Sequence, residues 1–380
     1  MIRVLILFIS YLFFACNSGP LEKALKSDPL LKSIYNKSDL YNTQIIYSEI
    51  INNDGQINFK EFEYNLDETT YFYPASSIKL PIVVFTLEKI NELRFSGYDI
   101  TIDSELNFKQ LSKTGEIVYN KTNFKDIIAE VFLISSNSAA NILIDFVGYD
   151  SFNKKIRERG LNQSTLNHKF NPDPFVHNQW MITDNQGNII SADNSNHKLI
   201  LNSNLKRLKQ GTQTIVNGVK IQKPFDFTNK NRSSLKDMDG IVKRLIYPSA
   251  FKEEFQFKIN TEEYDFIRYW MSRFTFEDNG IEYQGKEYFY NAYNKFLFHG
   301  DTRDDLNKDI RVYNKVGEAY GQVTDIGYIK NYRNNTEFFI SATIYVNDNN
   351  VINDGSYETD SIGIPFFSKL ARELYNNLLD

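Results

Sequence analysis

Six residues, Pro74 to Lys79, and the apolar run behind them limit what this chain can fold into more than any other stretch. Between Leu80 and Leu93, Ile82, Val83, Phe85, Thr86, Ile90 and Leu93 keep helical spacing, which predicts a helix. Pro74 has no backbone N–H and cannot lie in a helix interior, so the helix begins after it. Ser76 therefore falls where unpaired backbone N–H groups and the positive end of the helix dipole gather. Lys79, three residues on, shares its face. A hydroxyl beside an amine at such a place can become a nucleophile, with the lysine as base or electrostatic partner. The spacing alone does not select Ser76, because Ser151, Ser195, Ser203, Ser233 and Ser249 also stand three residues before a lysine. Context has to select it.

The start of the chain carries a second signal. One positive charge at Arg3 precedes an apolar run from Val4 to Ala15, of signal-peptide length and too short to span a bilayer. It ends at Ala15 and Cys16, the only cysteine, in a pattern that resembles a bacterial lipobox. Residues 1–15 are thus expected to be a cleaved signal peptide. Cys16 is then the lipidated residue, anchored by more than one acyl chain, with 16–20 as a short tether. This predicts an exported protein of the bacterial cell envelope, periplasmic or at the surface, held to a membrane. A single cysteine excludes an intramolecular disulfide. With a net charge of −5 and no basic cluster, nucleic acid is excluded as a partner. The four histidines lack the short paired spacing of a zinc site, so neither a metal nor a cofactor is expected.

Taken in order, Leu21 to Tyr35 predicts a helix interrupted near Pro29. Gln44–Ile51 and Gln56–Leu66 predict a hairpin across Asn53-Asp54-Gly55. Residues 100–125 read as polar and loop-rich. Phe124–Val147 reads as one helical stretch and Phe152–Gly160 as another helix. Trp180–Thr183 and Ile189–Ala192 suggest an inserted hairpin, with weak helical signals after it. Ser234–Ile246 is a clear helix capped by Ser233 or Ser234. Arg311–Val323, Asp325–Tyr332 and Glu337–Val346 predict an antiparallel meander, closed by a helix over Ile362–Leu379. The expected fold class is α/β in the α+β sense: an antiparallel sheet built from both termini and flanked by helices. Residues 21–380 form the catalytic domain, with an inserted, mainly helical lobe at about 96–245.

Two later motifs supply the missing context. Ser135-Ser136-Asn137 lies in the second helical stretch, and Lys315-Val316-Gly317 in the first late strand. With Ser76-Ser77-Ile78-Lys79 they resemble, in order, the Ser-x-x-Lys, Ser-Asp-Asn and Lys-Thr-Gly motifs of the penicillin-recognising serine enzymes. Ala139-Ala140-Asn141-Ile142-Leu143, Gly321 and Asp325 are similar to the class A β-lactamase branch. So is Asn231-Arg232-Ser233-Ser234-Leu235-Lys236-Asp237-Met238. The resemblance covers roughly residues 40–380, with an insertion at about 170–225. Lys113-Thr114-Gly115 matches the third motif literally, but it precedes the second motif and reads as a polar loop. The lysine needed here belongs on an edge strand facing the nucleophile.

The resemblance implies roles. Ser76 attacks a carbonyl and Lys79 takes or relays its proton. Ser135 passes a proton to the leaving nitrogen, and Lys315 keeps the site positive for an anionic substrate. Asn137 binds the substrate's amide side chain. Gly317 belongs to the substrate-binding strand, and the N–H groups of Ser76 and Glu318 form an oxyanion hole. The implied substrate is a β-lactam or a peptidoglycan-like small molecule.

Three departures bear on turnover. Class A enzymes deacylate through a glutamate that activates water, yet no glutamate occurs between Arg159 and Lys252. Gln163 or Phe170 falls at its place, and neither an amide nor a phenyl ring is a general base. Asp173 is the nearest carboxylate. Ser136 replaces the aspartate of the second motif, and Val316 replaces the threonine of the third, removing a carboxylate-binding hydroxyl. These features predict a serine hydrolase that is acylated at Ser76 and hydrolyses β-lactams slowly. A cell-wall D,D-peptidase, another amide or ester hydrolase, and a non-catalytic binding lipoprotein are the alternatives.

Overall fold

The computed structural model describes residues 19–111, 117–170, 176–193, 197–277, 289–303 and 306–379. The signal segment, Cys16, Lys113-Thr114-Gly115 and Asp173 lie outside the described residues.

Helices α1 (Pro20–Ser27) and α2 (Pro29–Asn36) are separated at Asp28, whose side chain caps α2 by accepting from Leu30 and Leu31 N–H. Strands β1 (Gln44–Asn53) and β2 (Gln56–Tyr64) form the expected hairpin, its turn at Asp54 and Gly55 in positive φ. A 3-10 turn, Ala75–Ile78, leads into helix α3 (Lys79–Phe95). Pro81 is tolerated there because the first helical turn has no carbonyl partners for its N–H groups. This helix is buried from Lys79 to Glu88 without interruption, so it is a central helix rather than a surface one.

The stretch expected to be loop contains two strands, β3 (Glu105–Leu111) and β4 (Ile117–Asn123). Helix α4 (Phe124–Leu133) then stops, and helix α5 (Asn137–Val147) begins after a break at Ile134–Ser136. The apolar periodicity runs through this break, which is why the two read as one helix. The break comes from Ser135, which has φ +54°, and from Ser136, which caps α5 by accepting from Ala139 N–H. Helix α6 (Tyr149–Glu158) follows.

Strands β5 (Val176–Thr183) and β6 (Ile189–Asp193) form the inserted hairpin and join β3 and β4 in a four-stranded sheet, order β4-β3-β5-β6. The helices expected between this hairpin and Ser234 are absent among the described residues. Short strand pairs such as Gln213–Val216 with Val219–Ile221 occupy that region instead. Helix α7 (Leu235–Ile246) is capped by Ser234, and helix α8 (Thr261–Ser272) by a capping box of Asn260 and Glu263.

Strands β7 (Ile310–Ala319), β8 (Gln322–Asn331) and β9 (Glu337–Tyr345) form the meander. The first turn falls at Tyr320 and Gly321, both at positive φ, inside the span expected to be strand. Helix α9 (Ile364–Leu379) closes the chain. The main sheet is antiparallel, order β7-β8-β9-β1-β2, so strands from both ends of the sequence meet at β9 and β1.

Strand alternation divides the core in two. Ile46, Ile326, Tyr328 and Phe339 face α3, α4, α5 and α7. Ile45, Tyr47, Val323 and Ile340 face α1, α2 and α9. The sheet is therefore covered on both faces, and β7 is left as an open edge.

Candidate active site

The edge strand and the start of the central helix approach very closely. A Cβ at Gly317 would run into Pro74 O and lie 2.9 Å from Ser77 N and 3.2 Å from Ser76 N. Only glycine lets β7 pass this near to the backbone before Ser76. Ala75, just ahead of Ser76, has φ +47°. Ser135 is a second non-glycine residue at positive φ, and both flank the cavities around Ser76, a pattern common at functional sites.

That cavity, about 1050 Å³, is lined by Ser76, Ser135, Asn137, Val316 and Glu318, with Tyr290, Tyr293 and Arg303 opposite. A second one of about 450 Å³ shares Ser76, Asn137 and Glu318 and is walled by Tyr73, Phe170, Tyr320 and Tyr357. Ser76 thus stands where two halves of one cleft meet.

Behind Ser76, two lysines converge on Ser135. Lys79 is fully buried; its Nζ donates to Ser135 O and to Asn137 Oδ1, both at 2.6 Å, and lies 3.5 Å from Ser135 Oγ. Lys315 is also buried, and its Nζ donates to Ser135 Oγ at 2.8 Å and to Val316 O at 3.2 Å. Burial pushes the Lys79 ammonium well below its ordinary range, and the Lys315 charge adds to this. Burial also lowers Lys315, to about 7, against the attraction of Asp325. Both follow from the cost of an ion in a low-dielectric interior.

The structure separates the two candidates for the missing glutamate's place. Gln163 points away: its N–H donates to Asp237 at 2.8 Å and its side-chain oxygen accepts from Arg232. Phe170 stands over Lys79, ring centroid 4.7 Å from Nζ. Its backbone is clamped by Asn141 through both amide atoms, at 2.8 and 2.9 Å. The next residue back, Lys169, is paired with Asp145 at 2.7 Å. A phenyl ring therefore fills the ground beside the lysine where a carboxylate could have held a water.

Of the residues expected from the motifs, Ser76, Ser135, Asn137 and Glu318 line the cleft, and Lys79, Lys315 and Gly317 pack directly behind them. The wall of Tyr290, Tyr293 and Arg303 was not foreseen. It comes from a segment with no helical or strand periodicity, and nothing local marks it.

A model of the family described as the beta-lactamase enzyme family matches residues 43–378. Among solved structures, the chain is similar to a class A beta-lactamase from Bacteroides cellulosilyticus at 14% identity and TM-score 0.54, over 95% of this chain and 99% of that one. A mutant of PBP-A in acyl-enzyme complex with penicillin G matches at 15% identity and TM-score 0.53, over 92% and 96%. A beta-lactamase from Chitinophaga pinensis matches at 11% and 0.52, over 92% and 100%. No curated protein matches the chain.

Proposed function

This chain belongs to the β-lactamase enzyme family, and on that premise we propose that it is a serine hydrolase acylated at Ser76 and slow to release its acyl group. One observation carries the first half: two buried lysines meet at the Ser135 hydroxyl beside Ser76. A neutral amine has two N–H bonds and one lone pair. Lys79 commits two short hydrogen bonds to Ser135 O and Asn137 Oδ1, and its lowered pKa favours the neutral form. Its lone pair is then free to take the proton of the Ser76 hydroxyl as Oγ attacks the carbonyl. Lys315 donates to Ser135 Oγ, which leaves the Ser135 proton to pass to the departing nitrogen. The oxyanion would be met by the N–H groups of Ser76 and Glu318, at the closest approach of strand and helix.

The second half rests on Phe170. With its ring over Lys79, no carboxylate of the described loop stands ready to activate water for the ester. Val316 adds to this a weaker hold on an anionic substrate, by roughly 1–3 kcal/mol for one lost charge-assisted bond. A mutant of PBP-A, which shares the fold, is seen as an acyl-enzyme complex with penicillin G. A cell-wall D,D-peptidase acting as an acyl transferase is the second reading, favoured by the same phenyl ring, since it releases D-alanine on acylation and passes the acyl group to an amine rather than to an activated water.

The expected kinetics with a chromogenic cephalosporin are a burst of about one equivalent per protein and then a slow steady state. Rapid turnover without a burst would contradict slow release. Release of D-alanine from a peptidoglycan pentapeptide would move the assignment to the peptidase.

A further inference from the structure

The cleft has two halves, and Ser135 tells them apart. Ser135, whose proton passes to the departing nitrogen in the proposed reaction, lines only the larger cavity. Ser76 and Asn137 line both, while Phe170 and Lys230 line only the smaller one. A bound amide or lactam therefore lays its leaving side in the larger half and its acyl side chain in the smaller.

The smaller half is aromatic. Tyr73 stacks on His168 with ring centroids 6.1 Å apart and meets Tyr320 edge-on at 5.1 Å. Most of the charges around it are already answered. Both His168 nitrogens are spent within the protein: Nδ1 donates to Lys169 O at 2.7 Å, and Nε2 accepts from Asn231 N–H at 3.3 Å. Burial lowers this ring to about 4 and keeps it neutral. Lys169 is paired with Asp145. Lys79 lies against the Phe170 ring, and burial pushes it toward its neutral form. Glu318 lines both halves, but its carboxylate feels Asp360, which lines only the larger one.

Lys230 is the charge left over. Its backbone is fixed, since its N–H donates to Phe227 O at 3.0 Å and its carbonyl accepts from the Asn202 amide at 2.8 Å. Its ammonium lies 5.4 Å from the centre of the Phe225 ring, which stacks on Tyr320. The side chain is half-buried, and burial lowers its pKa with no carboxylate among the described residues to oppose the shift. An ammonium that has lost part of its water and gained no counter-charge is completed by an anion that arrives with a ligand. We propose that Lys230 sets specificity on the acyl side: the smaller half selects substrates whose acyl side chain carries a carboxylate next to an aromatic group. The ring lies among Tyr73, Phe170 and Tyr320, and the carboxylate meets Lys230. This charge is additional to any carboxylate on the leaving side.

The assignment rests on the acylation of Ser76 and names a substrate class for it. Three penicillins share one bicyclic core and one phenyl group and differ at the carbon beside the acyl carbonyl. Benzylpenicillin carries only hydrogen there, ampicillin an ammonium and carbenicillin a carboxylate. Carbenicillin should acylate the wild type about tenfold faster than ampicillin, the order expected for one charge-assisted bond on a partly exposed lysine, with benzylpenicillin between them. Lys230→Gln should bring the carbenicillin-to-ampicillin ratio near one, and Lys230→Glu should reverse it. The ratio is taken within each protein, so any loss of folded material cancels. The same ratio is read without acylation as the Kd of each drug for Ser76→Ala, with and without Lys230→Glu. An acylated wild type whose ratio is near one, or is unmoved in Lys230→Glu, would overturn this inference and leave the acylation of Ser76 standing. A wild type that forms no adduct, while Ser76→Ala binds carbenicillin over ampicillin and Lys230→Glu reverses the order, would defeat the acylation and uphold the anion preference. Neither adduct nor binding with any of the drugs would overturn both.

Discussion

At the scale of single residues, Ser76 and Lys79 could be read from the sequence because a proline and an apolar helix fix their local setting. Phe170 could not, because an irregular loop has no period to set its register. Asn141 settles the register by grasping the backbone of Phe170 with both ends of its amide. Asn141 was visible in the Ala139–Leu143 stretch that follows the second motif, but its role as a clamp depends on a loop 29 residues away. The clamp makes a sharp expectation possible. Phe170→Glu puts a carboxylate beside Lys79 without disturbing the backbone bonds that hold residue 170. A general base is worth about 10² to 10⁴ in rate, and even a poorly placed one should shorten the acyl-enzyme's lifetime by roughly tenfold or more. Pulse-chase measurement of the adduct checks this. An unchanged lifetime would mean that something other than the missing base limits release.

Among the elements, the break between α4 and α5 and the open edge of β7 shape the site. The break was hidden by apolar residues that keep helical spacing on both sides of Ser135. Its one local sign was Ser136, a residue type suited to an N-cap. Strands β3 and β4 were missed because their short alternating runs are diluted by polar residues, and tertiary pairing with β5 decides them. The meander and closing helix were legible because each carries a full run of its own period. The edge strand depends on Gly317, where any side chain would collide with Pro74 O. Gly317→Ala should therefore push β7 away from Ser76 and reduce acylation by about 10²-fold, as expected for misplacement near 1 Å. Acylation kinetics alongside a thermal melt checks this. A wild-type rate in the folded variant would show that the close approach has no part in the chemistry.

For the molecule as a whole, the sheet joins the two ends of the chain through β1 and β9, and it presents β7 to the inserted helices. This order of elements let the fold class be read from strands at both ends and helices between them. The same arrangement brings the buried Lys79 and Lys315 together at Ser135, although the linear sequence separates them by more than two hundred residues. On the proposed reading, Ser76 and the two lysines make the acyl-enzyme, and Phe170 stands beside Lys79 where a water-activating carboxylate would be needed to break it. The most direct measurement is the intact mass of the protein after exposure to penicillin, with the adduct mapped by peptide analysis. One penicilloyl group on Ser76, persisting after excess drug is removed and absent from Ser76→Ala, is the predicted result. No adduct on the wild type under rapid-quench trapping, or one of equal yield on Ser76→Ala, would contradict it.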